Sequence, residues 1–263
     1  MGPCRPGRSC VISRVEVVQT FTDKVQTVQR HSDLRALAID TARELGLDYI
    51  ALLHHVDLNL AAPEAVRVSN YPEAFIAAQR ANRHFVDDPV FSLAQRSARG
   101  FCWTDLAQQI QFSPSQSEVL RQGARAGLGE GYTVPLHVPG EFAASASFVV
   151  RAGKTRNPAA LPWLHHVASF AFESGRQIAL TKTMRSRRTY KLSGRQLDCL
   201  VLVARGATAR EAAARLGLKP DTVEKHLSAA KARVGVRATP HLLAHCLFDG
   251  KITFQDIMCD KNA

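Results

Sequence analysis

Asp88 stands directly before Pro89 in the stretch NYPEAFIAAQRANRHFVDDPVF, residues 70–91, between two segments that read as amphipathic helices. A carboxylate placed there can do two kinds of chemistry. It can cap the helix that Pro89 opens, accepting from backbone N–H groups that have no partner inside the helix. It can also accept a hydrogen bond from a bound molecule, an interaction of about 1.5–3 kcal/mol when one partner is charged. Capping alone explains the Asp-Pro pair, so residue types leave both readings open.

A second group of chemistry-bearing residues lies near the other end, in KLSGRQLDCLVLVARGATAREAAARLGLKPDTVEKHLSAAKARVGVRATPHLLAHCLFDGKI. Ser193 with Gln196 and Thr208 with Glu211 have capping-box spacing, and Gly206, Gly217 and Pro220 punctuate the run. Short helices follow, the second and third joined by only a few residues, which is the layout of a helix-turn-helix. On the third, Val223, Leu227, Ala230 and Val234 share an inward face, while Glu224, Ser228 and Lys231 share the opposite one. Thr222 stands in its first turn, and Lys219, Lys225 and Arg233 flank the outer face, placed to meet phosphates. A fourth helix, from Thr239-Pro240, is strongly apolar. Its Leu242, Leu243 and Leu247 are expected to need cover, and a symmetric dimer contact is the economical source of it.

Other constellations carry less. The pairs His54-His55 and His165-His166 have adjacent side chains that diverge on a strand or a helix, which is poor metal-ligand spacing. Cys102 would need a histidine base to act as a nucleophile, and no motif supplies one, so neither enzymatic activity nor a metal cofactor is expected.

The elements that must position these residues fit in 263 residues as two modest domains. The net charge of +11 is concentrated: fourteen lysines and arginines against four carboxylates fall between Thr181 and Arg237, so ten of the eleven charges sit there. A basic block of domain size points to nucleic acid. Six cysteines without CxxC spacing, no apolar run near ~18 residues and no signal-peptide layout suggest a reduced, cytoplasmic protein without a membrane segment. The amino-terminal half mixes helices with strand-like stretches: a helix in 32–46 capped by Ser32, strands in 47–56 and 65–71, helices in 72–85 and 88–100, a short extended GFCW, a helix in 114–127, a hairpin turned at Pro139-Gly140-Glu141, and a long helix from Asn157 to Thr183. The fold class expected is α+β: an α/β/α sandwich around a central antiparallel sheet, linked to a small all-α four-helix helix-turn-helix domain. The boundaries expected are a disordered basic lead over 1–16, a ligand-binding domain over 17–180, a linker over 181–190 and a DNA-binding domain over 191–263.

With those motifs in place, the carboxy-terminal segment resembles the DNA-binding domain of LuxR-type transcription factors. Leu192, Arg195, Leu200, Gly206, Thr208, Glu211, Ala213, Leu216, Thr222, Val223, His226 and Leu227 match its pattern, while Gln196, Ala207 and the run Lys219-Pro220-Asp221 depart from it. The amino-terminal half is similar to the autoinducer-binding domain of the same family through Asn70, Tyr71, Pro72, Asp88, Pro89, Val90, Trp103, Gly127, Gly131, Pro135 and His137. The resemblance implies that Asp88 accepts from the amide N–H of an acyl-homoserine lactone, that Tyr71, Trp103, Val90 and Ser147 surround the ligand, and that Glu224 and Ser228 read bases. It implies as partners a small-molecule autoinducer, double-stranded DNA bearing an inverted repeat, a second copy of the chain and RNA polymerase. Phe75 stands where the family has a tryptophan that donates to the lactone carbonyl, and Gln79 where it has a tyrosine. These departures leave room for another head group, or for an orphan regulator whose amino-terminal half is ligand-independent or binds a protein.

Overall fold

The computed structural model describes residues 13–56, 65–82, 87–138, 141–183 and 190–258. The chain divides into two compact units, the first ending with a long helix and the second wholly helical. The first contains, in order, α1 (Arg14–Val25), α2 (His31–Glu44), β1 (Tyr49–His54), β2 (Arg67–Ser69), α3 (Glu73–Asn82), α4 (Pro89–Ala94), β3 (Phe101–Cys102), α5 (Leu106–Gln109), α6 (Pro114–Arg125), β4 (Leu128–Leu136), β5 (Ala144–Arg151) and α7 (Leu161–Thr183).

The strands form one five-stranded sheet in the order β2-β1-β5-β4-β3, every neighbouring pair antiparallel. From Ala144 to Val150, β5 is buried at every residue, because helices cover both faces of the sheet. The pleat sends alternate side chains to opposite layers. Leu52 and His54 face α7, where the His54 ring meets Phe172 edge-on at 5.1 Å. Ala51, pairing Ser147, belongs to the other face, under α3, α4 and α6.

Two expectations at the start of the chain need correction. Of the lead expected over 1–16, residues 1–12 lie outside the described residues, but Ser13 and Glu16 form a capping box that opens α1. That helix buries Val17, Val18, Phe21 and Val25, an apolar face strong enough to draw the segment into the core. The cap of α2 is Arg30 rather than Ser32, and it makes no side-chain cap bond; its guanidinium pairs instead with Asp33 at 3.0 Å. Packing of Leu34, Ala38 and Ile39 sets that helix start, not a capping side chain. The hairpin turn at Pro139-Gly140 and most of the expected linker, residues 184–189, lie outside the described residues, while the helix leading to it continues to Thr183.

The second unit contains α8 (Gly194–Ala204), α9 (Ala209–Leu216), α10 (Pro220–Val234), α11 (Thr239–Phe248) and a short α12 (Phe254–Met258) that the sequence reading did not include. Both capping boxes are present, Ser193 with Gln196 and Thr208 with Glu211. Gly217 ends α9 with a left-handed φ of 66°, and only Leu218 and Lys219 separate it from Pro220. Cys199, Leu200, Ala212, Val223, Leu227, Ala230, Leu242 and Cys246 make the core. Leu242 is fully buried there, and Leu243 and Leu247 pack against the same cluster. The unit therefore covers Leu242 itself, while Leu243 and Leu247 stay half-buried.

Thr208→Ala removes the hydroxyl that accepts from Glu211 N, so it should destabilise the helical unit by about 1 kcal/mol, lowering Tm by roughly 4–8 °C for a unit of this size. Thr208→Ser should restore most of that loss, and thermal melts followed by circular dichroism distinguish the two.

Candidate functional site

A cavity of about 420 Å³ lies between the sheet and α3, α4 and α6. The sheet supplies Ala51, Leu53, Arg67, Ser69 and Ser147; α3 supplies Phe75, Ile76, Gln79 and Arg80; α6 supplies Val119, Leu120 and Gly123. Tyr71, Asp88, Val90, Phe91 and Trp103 also line it, as does Arg35 of α2. The structure thus brings all seven residues singled out for this half, Tyr71, Phe75, Gln79, Asp88, Val90, Trp103 and Ser147, to one cavity.

Motif residues outside the wall hold it in place. Asn70 accepts from Ile50 N at 2.7 Å and donates to Asp48 O at 3.1 Å, fixing the chain that leads to Tyr71 against the start of β1. His137 Nε2 donates to Ala94 O at 3.1 Å, tying the end of α4 to the end of β4. The adjacent histidines are engaged as well: His54 Nδ1 accepts from Val66 N, and His55 Nε2 meets Ser145 Oγ at 2.9 Å while its ring stacks on Phe91. Burial pulls His55 down to about 3, so its ring is neutral.

Asp88 is the N-cap of α4, its Oδ1 accepting from Val90 N at 2.8 Å. Burial in the cavity wall raises its carboxyl to about 6, against the opposing pull of the Val90 and Phe91 N–H groups. Tyr71 is shifted upward by burial and then by the Asp88 charge, against the opposing pull of Ser147, and its buried hydroxyl has no partner at hydrogen-bond geometry among the described residues. Trp103 uses its indole N–H internally, donating to Thr133 Oγ1 at 2.9 Å, which in turn meets Ser147 Oγ at 2.9 Å. Thr133 is a residue that sequence reasoning missed. It is two places along β4 from the motif glycine Gly131, so strand alternation puts it on the same face. A side chain on Gly131 would collide with the Trp103 ring, which explains the glycine. Phe75 presents a ring without a donor, 6.0 Å from that of Tyr71. Gln79 is 6% exposed, and among the described residues both its amide nitrogen and its amide oxygen lack partners.

On the helical unit, α10 exposes Glu224, Lys225 and Ser228, with Thr222 and Lys231 half-buried and Lys219 exposed at its N-cap. These six side chains share one short helix and its cap. Arg233 is placed differently: its Nη1 donates to Lys191 O at 2.9 Å, so this arginine holds the unit together instead of simply flanking the outer face.

Two consequences follow for the amino-terminal unit. Gly131→Ala should cost about 1–3 kcal/mol and displace Trp103, read as a lower Tm and altered tryptophan fluorescence. For Asp88, the folded carboxyl binds its proton more tightly than the unfolded one, so the folded state holds the extra proton between pH ~4 and ~6. Its contribution to stability should therefore fall as pH rises from ~4 to ~6 and stay flat above. In Asp88→Asn, which keeps a capping oxygen, that slope should be absent from the pH dependence of Tm.

Comparison with known proteins agrees with this division. Residues 31–174 match the model of the autoinducer binding domain, and residues 190–245 match that of bacterial regulatory proteins of the luxR family. The transcriptional activator protein AhyR of Aeromonas hydrophila is 25% identical over 194 residues, which cover 73% of this chain and 75% of AhyR. RpaR of Rhodopseudomonas palustris, an HTH-type quorum sensing-dependent transcriptional regulator, is 28% identical over 171 residues, 64% of this chain and 68% of its own. The structure of SdiA in complex with octanoyl-rac-glycerol has the same fold, with a TM-score of 0.63 at 20% identity over 90% of this chain and 95% of that one. A crystal structure of Escherichia coli SdiA gives a TM-score of 0.64 at 18% identity over 94% of this chain and all of that one. With an autoinducer-binding domain over more than half its length and a helix-turn-helix domain after it, the chain belongs to the LuxR family of quorum-sensing, DNA-binding transcriptional regulators.

Proposed function

We propose that this regulator binds an acyl- or aryl-homoserine lactone, or a closely related small signal, in the cavity beside Asp88, and that as a homodimer it binds an inverted-repeat promoter site. The observation that carries the reading is the cavity itself: a mostly apolar space of about 420 Å³ in which Asp88 is, among the described residues, the one carboxylate, with Arg35, Arg67 and Arg80 also in the wall. That is the shape an acyl chain with a single amide N–H requires. Asp88 accepts from the amide, Tyr71 and Ser147 face the acyl carbonyl region, and Trp103, Phe75 and Val90 pack on the ligand. Bound ligand stabilises the folded unit by mass action.

On the DNA side, Lys219, Lys225 and Lys231 contact phosphates, and Thr222, Glu224 and Ser228 lie toward the bases. One α10 covers one half-site, so two copies are needed for an inverted repeat. RNA polymerase is the further partner that such a regulator would meet at a promoter.

A second reading keeps the DNA-binding unit and makes the amino-terminal unit a ligand-independent or protein-binding module. Phe75 favours it, since a lactone carbonyl loses a donor there, worth about 0.5–1.5 kcal/mol. Thermal melts with a panel of acyl- and aryl-homoserine lactones separate the two. One ligand should raise Tm by several degrees in the wild type and by much less in Asp88→Asn. A flat panel with well-folded protein would favour the second reading.

DNA binding should weaken steeply as salt rises, and Lys225→Ala should reduce the slope of log affinity against log salt by about one unit. A slope unchanged by that substitution would remove Lys225 from the phosphate contacts.

A further inference from the structure

Gln79 lies on α3 with its side chain in the cavity wall, 6% exposed, and both ends of its amide are buried without a hydrogen-bond partner among the described residues. Asp88 is met by Val90 N, Ser147 by Thr133 and the Ser69 carbonyl by Arg35, whereas the Tyr71 hydroxyl, like the Gln79 amide, has no partner among the described residues. A buried amide left unsatisfied at both ends is costly, so the group that fills the cavity should offer it both a donor and an acceptor. The two ends of a primary amide lie side by side in one plane. Their natural complement is a cis secondary amide, in which N–H and C=O also lie side by side.

A homoserine lactone ring cannot supply that edge. It has only acceptors, so it can take a hydrogen bond from Gln79 Nε2 but gives nothing to Oε1. The corresponding lactam has N–H in place of the ring oxygen and presents the complete edge: its N–H donates to Oε1 and its carbonyl accepts from Nε2. Phe75, which offers no donor, leaves Gln79 as the polar side chain of α3's inward face that can recognise a head group, Arg80 being the charged one. From this we infer that Gln79 is the specificity-determining residue of the cavity and selects a signal whose head group is a ring secondary amide over one whose head group is a lactone. The inference rests on the reading of this cavity as the signal site.

The test is a matched comparison. Butanoyl, octanoyl, dodecanoyl and cinnamoyl homoserine lactones, and the four lactams with the same acyl groups, are titrated into the full chain, with affinity read by calorimetry and stabilisation by Tm. Within the best-binding pair the lactam should bind about tenfold tighter, the effect of one additional net hydrogen bond. In Gln79→Met, which keeps the side-chain length and removes both amide atoms, the two should bind equally. In Gln79→Glu the N–H partner remains but the donor is lost, so part of the lactam preference should persist. Equal affinities in the wild type, or a preference for the lactone, would overturn the inference while leaving the signal site standing. That comparison needs no variant to fold. Binding of no member of either series would overturn both the inference and the reading of the cavity beneath it.

Discussion

A carboxylate can be kept in the wall of an apolar cavity only if something answers its charge. At Asp88 two groups do so from the protein side, the N–H groups at the start of α4, and burial still holds the carboxyl at about 6. The neighbouring structure follows from that constraint. Pro89 removes one N–H that would otherwise need a partner and fixes the helix entry. His137 anchors the far end of α4 through Ala94. Gly131 makes room for Trp103, whose indole is then tied to Thr133 and not left to point an unused donor into the cavity. The cap and the cavity wall are thus one piece of construction, and a donor arriving from inside the cavity would complete the answer to the Asp88 charge.

The second unit is organised by a different rule, the termination of short helices. Capping boxes at Ser193 and Thr208 open α8 and α9, and left-handed glycines at Gly217 and Gly235 end α9 and α10. With the ends fixed, the apolar stripe of α10 packs inward and Glu224, Lys225 and Ser228 remain in solvent. The basic character of this segment is then a surface property, consistent with a domain that meets a polyanion.

How much of this could be read from the chain varied with the physical signal. The caps of α4, α8 and α9 are local and were legible, because a side chain that caps acts within three residues. The antiparallel sheet was legible from strand-like runs close in sequence. The start of α2 was not, because packing of Leu34 and Ala38 decided it over the nearest capping residue. Nor was α1, whose apolar face lies next to a Pro- and Gly-containing basic stretch that drew attention away from it. Leu242 of α11 illustrates a different limit. An apolar helix at a domain's end suggests a partner, but Leu242 finds its cover in the same unit. Within the cavity, the lining residues from motifs were found from the sequence, whereas Thr133 and the flanking Arg35 and Arg67 depend on how strands and helices are brought together.

The central claim is that the cavity beside Asp88 holds a small acylated ring signal. Native mass spectrometry tests it most directly, on the full chain purified from cells supplied with a mixture of acyl-homoserine lactones and lactams. The expected result is one retained molecule per chain, of a single acyl type, absent when Asp88→Ala is purified in parallel. A folded wild-type chain that emerges with nothing bound, and with the same mass distribution as the variant, would contradict it.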